Sequence, residues 1–256
     1  MPTLEDNRRM IIDPPLTPLA EVDQVLAEQG YAVLSAEALC QAMACRPADL
    51  SAWGAYWDRL PADAYLRDGG RYRRRRHSCF VVDGGRVSPV AQRAHWQPLA
   101  YNALHGGIER HFEAIEPGLL AQPLWHRLLL TLAAHASALK GAQPWFVEAH
   151  PFRIDTTDGI GRPTPEGAHR DGVDLVSVTL VARVGVKGAE TRVFEADGAL
   201  GRRFTLGQPW STLLLDDARV VHESTPIQPL DAAAGGYRDT LVLTFRSGGF
   251  QGLSAD

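Results

Sequence analysis

Residues 145–245 run as short apolar stretches cut by Gly, Pro and Asp, and this punctuation constrains the fold more than any other feature of the chain. Val173, Leu175, Val176, Val178, Leu180, Val181 and Val184 make one run, rich in β-branched residues and bounded by Gly172 and Gly185. Residues 211–215 make another; Asp216-Asp217 then turns the chain, and residues 219–222 resume it. Residues 145–154 open the series and 241–245 close it. Many short strands with turn residues between them are the pattern of a sandwich or barrel.

The first half differs. Thr17-Pro18 reads as an N-cap followed by proline at the first helical position. Leu19, Val22, Val25 and Leu26 mark one helix face, and Gly30 is the stop. A short strand follows over 31–34, and Ser35 caps a helix reaching about residue 45. Pro47 opens another, with Leu50, Trp53, Trp57 and Leu60 as a core stripe. Residues 71–82 read as a strand, Asp83-Gly84-Gly85 as a hairpin turn and 86–90 as the return. A helix over about 123–140 is closed by Gly141. The expected class is α+β with a mainly β core. A loosely ordered arm, 1–16, precedes one unit, 17–256, whose helical part (about 17–140) packs on a β-rich core (about 145–250).

Composition narrows the function. The 256 residues carry a net charge of −4, from 26 basic and 30 acidic side chains, which argues against a nucleic-acid binder driven by bulk charge. Cys40, Cys45 and Cys79 are odd in number and form no CxxC, so they read as reduced thiols of a cytoplasmic protein. The first thirteen residues hold no apolar signal-like core, and no long apolar run suggests a membrane span.

The chemistry lies in His169-Arg170-Asp171, His222 and Arg238. In extended chain His169 and Asp171 point the same way and Arg170 away. With His222 they supply two imidazoles and one carboxylate, the ligand set that holds non-heme Fe(II) on one side and leaves the other open. Arg238 can grip a carboxylate bidentately, and Thr240, on its face, can donate a hydroxyl. Together they suggest an oxygenase with a 2-oxo acid co-substrate. The bland alternative is a set of hydrogen-bonded core histidines. A competing pair, His111 and Glu113, sits in a stretch (108–115) whose apolar spacing reads as helix, where residues two apart do not share a face.

Arg71 and residues 73–76 form an arginine run. On a strand, Arg73 and Arg75 face one way, Arg74 and Arg76 the other, a poor continuous patch for phosphates. Either they make a solvated edge that blocks strand pairing, or one face binds a substrate carboxylate. Arg153 is a similar candidate. Glu148 can accept a substrate ammonium or stand as a surface carboxylate. Trp96, Gln97 and Asn102 are candidate pocket walls.

The segments PTPEGAHRDG (163–172), LDDARVVHESTPI (215–227) and YRDTLVLTF (237–245) resemble bacterial 2-oxoglutarate/Fe(II) dioxygenases that act on free L-amino acids, the group that includes L-isoleucine 4-hydroxylase. Proteins named for biofilm, stress and motility phenotypes are similar to these too. GRYRRR (70–75) and HWQPLAYNALHGGIERHF (95–112) extend the likeness. It implies a double-stranded β-helix (jelly roll), with Fe(II), 2-oxoglutarate and O2 as cofactor and co-substrates. His169, Asp171 and His222 would ligate iron. Arg238 would bind the far carboxylate of 2-oxoglutarate, with Arg246 as an alternative on the same strand face. The implied activity is hydroxylation, or sulfoxidation, of a small free L-amino acid, with release of succinate and CO2. The resemblance also favours Arg73 and Arg75 as substrate ligands. The chain departs from the family at 184–190 (VGVKGAE), where many members carry Asn and a Gly-Gly pair, in a loop expected to border the substrate. Three other readings stand beside this one. The first is a cupin-type metal enzyme that does not use 2-oxoglutarate. The second is a non-catalytic 2-oxoglutarate-binding stress or biofilm regulator, and the third, disfavoured by charge, a nucleic-acid demethylase.

Overall fold

The computed structural model describes residues 12–252. Residues 1–11 of the expected arm lie outside the described residues. The rest of that arm is tied to the fold, because the Thr205 N–H donates to Ile12 O (2.8 Å) and Leu16 bridges Val33. Thr17 does not cap the first helix. Its N–H donates to Val33 O (2.7 Å), and a 3-10 turn, Leu19–Glu21, leads into α1 (Val22–Gln29). Gly30 ends α1 at φ 78°, and a Cβ there would meet Val220 Cγ1 at 2.8 Å, so only glycine suits both the turn and the contact.

β1 (Tyr31–Leu34) follows, then α2 (Ala36–Ala42), whose first turn is capped by Ser35 Oγ accepting from the Ala38 N–H (3.1 Å). α3 (Pro47–Ser51) continues as a 3-10 helix, Ala52–Arg59, and Leu50, Trp53, Trp57 and Leu60 are all buried. The Trp57 indole N–H reaches Phe152 O (3.0 Å) and Thr240 O (3.1 Å), pinning this helix to the strands behind it.

The expected strand over 71–82 divides into β2 (Arg73–Arg75) and β3 (Ser78–Asp83), returning as β4 (Arg86–Pro89). The break has a cause. α4 (Pro117–Leu120) and α5 (Pro123–Lys140) intervene before β5 (Trp145–Asp155), and both β2 and β3 pair with β5 in one register. That register puts Arg76 opposite Pro151, which has no N–H to give, so the ladder lapses there. Residues 108–115 are not a helix. Arg110 bridges His95, and Glu113 O takes the N–H of His77 (3.0 Å). His111 and Glu113 are exposed, and this keeps them from forming a buried ligand pair.

The second half alternates between two sheets. β6 (Leu175–Val184) is followed by β7 (Val186–Gly188), β8 (Thr191–Glu195), β9 (Gly201–Phe204), β10 (Thr212–Asp216), β11 (Val220–Ser224), β12 (Ile227–Pro229) and β13 (Tyr237–Arg246). The main antiparallel sheet has the order β1-β10-β6-β13-β5-β3-β4, with β2 on β5. Facing it are the ribbons β11-β8-β9 and β12-β7, extended by the bridges His169–His222 and Gly161–Ile227. From β5 onward the chain thus winds main sheet, small sheet, main sheet, which is a double-stranded β-helix, with helices covering the outer face of the main sheet. Trp53, Trp125, Trp145, Leu241, Leu243 and Phe245 share that helix-facing core. Among the described residues no helix is long and apolar enough to cross a membrane. The three cysteines are free thiols, Cys40 and Cys79 buried and Cys45 half-buried.

β13 pairs with β5 without a break, whereas its pairing with β6 shifts between Asp239 and Thr240, leaving Val181 as the extra residue. The unbroken register directs 238, 240, 242, 244 and 246 of β13, with 146, 148, 150, 152 and 154 of β5, to one face of the sheet. That face is the floor of the cavity between the sheets.

Candidate metal centre and substrate cavity

The cavity encloses about 1070 Å³, its mouth included, and His169, Asp171, His222, Arg238 and Thr240 all line it. Each reaches it from a different part of the chain. His169 and His222 exchange backbone hydrogen bonds (3.1 and 2.9 Å), so the loop before β6 is held beside β11. Asp217, expected only as a turn residue, holds the next stretch. Its carboxylate accepts the N–H groups of Asp171 (2.9 Å), Gly172 (2.7 Å) and Val173 (3.0 Å). Burial and the nearby Asp171 push its pKa up to about 7, against those N–H bonds. Gly172 adopts φ 77°, and a Cβ there would stand 2.5 Å from the Tyr101 ring.

The three candidate metal ligands stand apart. His169 Nε2 and His222 Nε2 each lie 3.8 Å from an Asp171 oxygen, beyond hydrogen-bond reach. His169 Nδ1 donates to Gly167 O (2.9 Å), which leaves the Nε2 lone pair toward the cavity. Asp171 Oδ1 accepts from Gln97 Nε2 (3.1 Å). Burial and the charge of His169 hold His222 well below the ordinary imidazole range, so it is neutral and able to ligate. Burial opposes protonation of His169, but Asp171 and Glu166 outweigh it and raise its pKa; a divalent cation would take that proton's place. Two neutral nitrogens and a carboxylate, spaced too widely to bond one another, fit an Fe(II) ion.

Arg238 fits an anion. It is 3% exposed, and its Nε and Nη2 are buried with no hydrogen-bond partner. Burial and the neighbouring Arg183 push its pKa down to about 10, with Asp239 opposing, so it remains charged. Thr240 is two residues on, on the same face. Arg246 also lines the cavity, but eight residues of strand put it roughly 26 Å from Arg238 along β13. It therefore cannot share a carboxylate with Arg238, and its Nη1 donates to Gly249 O (2.6 Å).

The substrate candidates divide. Arg73 and Arg75 are buried and line the cavity. Arg73 aligns across Ile154 with Arg238, two strand spacings or about 10 Å away. Gln97 and Asn102 line the cavity and Trp96 does not. Arg153 points to the opposite face. It is clamped by Asp239 (2.7 and 2.8 Å) and Asp58 (2.9 Å) and lies over the Tyr237 ring, outside the cavity and, contrary to expectation, away from any substrate there. Residues 184–190 do not line the cavity either, contrary to expectation, because β7 turns away to pair with β12.

Glu148 is buried in the cavity wall and was not legible as part of a cluster. Its Oε2 accepts from His95 Nδ1 (2.6 Å) and His77 Nε2 (2.9 Å), with His150 Nε2 at 3.7 Å. Four potential ligands converge here, but their protons are in the wrong places for a metal. Arg75 Nη2 lies 2.6 Å from His150 Nδ1, and a guanidinium only donates, so the His150 proton is on Nε2. The nitrogens facing Glu148 are thus N–H donors with no lone pair to give. Burial tends to raise the Glu148 pKa, but the two histidines outweigh it and hold the carboxyl well below the ordinary range. The alternation of Glu148 and His150 along β5 puts both on one face, but their meeting with His77, just before β3, depends on the β3–β5 register.

The family described as 2OG-Fe dioxygenase matches residues 54–244. A crystal structure of a bsmA homolog from Methylobium petroleophilum PM1 is 49% identical, with a TM-score of 0.89 over 94% of this chain and 98% of that one. The crystal structure of IDO from Bacillus thuringiensis is 17% identical, with a TM-score of 0.74 over 93% and 99%. The Fe(II)/(alpha)ketoglutarate-dependent dioxygenase TqaL is 20% identical, with a TM-score of 0.68 over 89% and 86%. No curated protein sequence matches the chain.

Proposed function

This chain belongs to the 2OG-Fe dioxygenase family, and we propose that it hydroxylates, or sulfoxidises, a small free L-amino acid with release of succinate and CO2. Fe(II), 2-oxoglutarate and O2 are the cofactor and co-substrates of such an enzyme. His169, Asp171 and His222 would hold the iron and leave its cavity side open. Bound there, the metal and the ketoacid together activate O2 for insertion of one oxygen atom into the substrate.

The chain's own residues bind, orient and exclude. Arg238 and Thr240 would hold the far carboxylate of 2-oxoglutarate. Phe146, Phe152, Val178, Val242 and Phe250 supply apolar wall against which a small side chain can rest without water. Arg73, Arg75 and Glu148 put charged groups of both signs in the same wall. This mixture, with the resemblance to amino-acid hydroxylases, supports a free amino acid over a peptide or nucleic acid.

The observation that carries the reading is the buried, unpartnered guanidinium of Arg238 in one cavity with the His/Asp/His set. An anaerobic optical titration of metal-free protein with Fe(II), then 2-oxoglutarate, tests it beside Arg238→Ala. An iron-to-ketoacid charge-transfer band is expected, with 2-oxoglutarate affinity about 100-fold lower in the variant, as two lost charge-assisted bonds imply. A folded, iron-loaded protein that shows no band sinks the reading.

A further inference from the structure

Two charged side chains outside the expected site stand within one step of the metal ligands. Glu166 Oε1 is 3.6 Å from His169 Nε2, and Glu166 Oε2 is buried with no hydrogen-bond partner. Arg110 is 2% exposed, and its Nη2 donates to Gln97 Oε1 (2.8 Å), the amide whose other end bonds Asp171. Arg110 Nε is buried and unpartnered, and no carboxylate lies within salt-bridge distance of this guanidinium among the described residues. Both residues line the cavity. A buried, unmatched charge is costly, and a matching pair of opposite sign in one cavity is complementary to a ligand bearing both signs. Glu148 is less suited to a cation, since its Oε2 is already taken by two imidazole N–H groups.

We propose that Glu166 and Arg110 bind the two charged ends of a zwitterionic substrate, Glu166 accepting the ammonium and Arg110, together with Arg75, the carboxylate. This rests on the amino-acid reading above and assigns its specificity to residues. Arg75 is suited to the shared task because its guanidinium carbon lies over the rings of Phe112 (3.9 Å) and Phe152 (4.4 Å) with Nε unpartnered. The placement also anchors the substrate beside the metal ligands, with the side chain left to reach the open face.

The test is calorimetric binding to protein loaded anaerobically with Fe(II) and 2-oxoglutarate. The probes are the twenty proteinogenic L-amino acids and, for each that binds, its desamino acid and its decarboxylated amine. At least one amino acid should bind, with both truncated analogues weaker by about 10- to 100-fold, the loss from one buried charge-assisted bond. Glu166→Gln should bring the ratio of amino acid to desamino acid close to one while retaining iron, and Glu166→Asp should restore part of it. Arg110→Lys should weaken the amino acid more than its amine. An unchanged ratio in Glu166→Gln overturns the proposal. So does loss of iron from that variant in step with substrate affinity, which would make Glu166 a metal residue. Silence from all twenty amino acids, with the charge-transfer band intact, overturns the clamp and leaves the dioxygenase standing. Loss of the band in the wild-type protein removes both.

Discussion

The cavity wall holds two clusters of histidine and carboxylate, and they are built from the same residue types to opposite ends. At His169, Asp171 and His222 the donor atoms stand 3.8 Å apart and bond nothing between themselves. At His77, His95, Glu148 and His150 the closest pairs are 2.6 and 2.9 Å apart, bridged by protons. What separates them is the partner on the far nitrogen. A backbone carbonyl on His169 Nδ1 takes a proton and frees Nε2 for a metal. A guanidinium on His150 Nδ1 gives a proton and forces the other onto Nε2. One cluster therefore keeps lone pairs for a cation, while in the other the Glu148 oxygen is already met by two imidazole N–H groups.

Reciprocal alanine variants give the largest expected contrast. Asp171→Ala should lower Fe(II) affinity by more than about 100-fold, since even outer partners of a ligand cost 10- to 100-fold. Its unfolding midpoint should hold or rise, because a carboxylate leaves a crowded site. Glu148→Ala should keep its iron after dialysis yet lose about 3 kcal/mol of stability, from two buried imidazole N–H groups left unpaired. Metal analysis and urea unfolding decide it. Iron lost from Glu148→Ala in folded protein would erase the distinction between the clusters.

The two clusters also differ in how much of them the sequence shows. His-x-Asp on extended chain puts two candidate ligands side by side within three residues, so periodicity brings them together, and a strand-borne His222 adds the third candidate. The arginine split was legible for the same reason, and Arg73 and Arg75 are indeed the buried pair. Glu148 and His77 meet only through the β3–β5 pairing, whose register no local pattern encodes. Arg110 was hidden by helical spacing in 108–115, where backbone hydrogen bonds to His95 and His77 override local propensity. The strand series in the second half was legible because turn residues bound each run. The break at Arg76 was not, because its cause, Pro151, lies on another strand. Asp239 shows the limit for Arg153, since the carboxylate that claims it is a cross-strand neighbour on the outer face.

Acid tests the Glu148 cluster next. Burial pushes the His95 pKa down to about 4, with Arg110 and Arg75 assisting and Glu148 opposing. A folded pKa below the unfolded value of 6.5 means the unfolded chain binds the extra proton. Stability is then complete above pH 6.5 and falls as pH drops from 6.5 toward 4. Between pH 6.5 and 5 the loss is about 2 kcal/mol from this one group, at 1.36 kcal/mol per pH unit. Urea unfolding of metal-free protein at several pH values measures it. His95→Gln should flatten that part of the slope whatever its own stability. An unaltered slope in the variant would mean that His95 does not carry the acid sensitivity of the Glu148 cluster.

The smallest effect concerns the amide that touches the metal end from outside. Gln97 donates to Asp171 Oδ1 (3.1 Å), while its carbonyl accepts from Arg110 (2.8 Å) and Asn102 (3.1 Å). Those two donors fix which way the amide faces, and so aim its NH2 at the ligand carboxylate. Gln97→Leu keeps the bulk and removes the bond. Iron affinity should fall about 10-fold, at the lower end for an outer partner because Asp171 keeps the backbone frame that Asp217 gives it. Gln97→Glu separates aiming from filling. It keeps the Arg110 bond and removes the donor to Asp171, but the added negative charge attracts a cation, so iron affinity should fall less than in Gln97→Leu. Equal iron affinity in all three proteins would show that the metal end is held by its own backbone contacts alone.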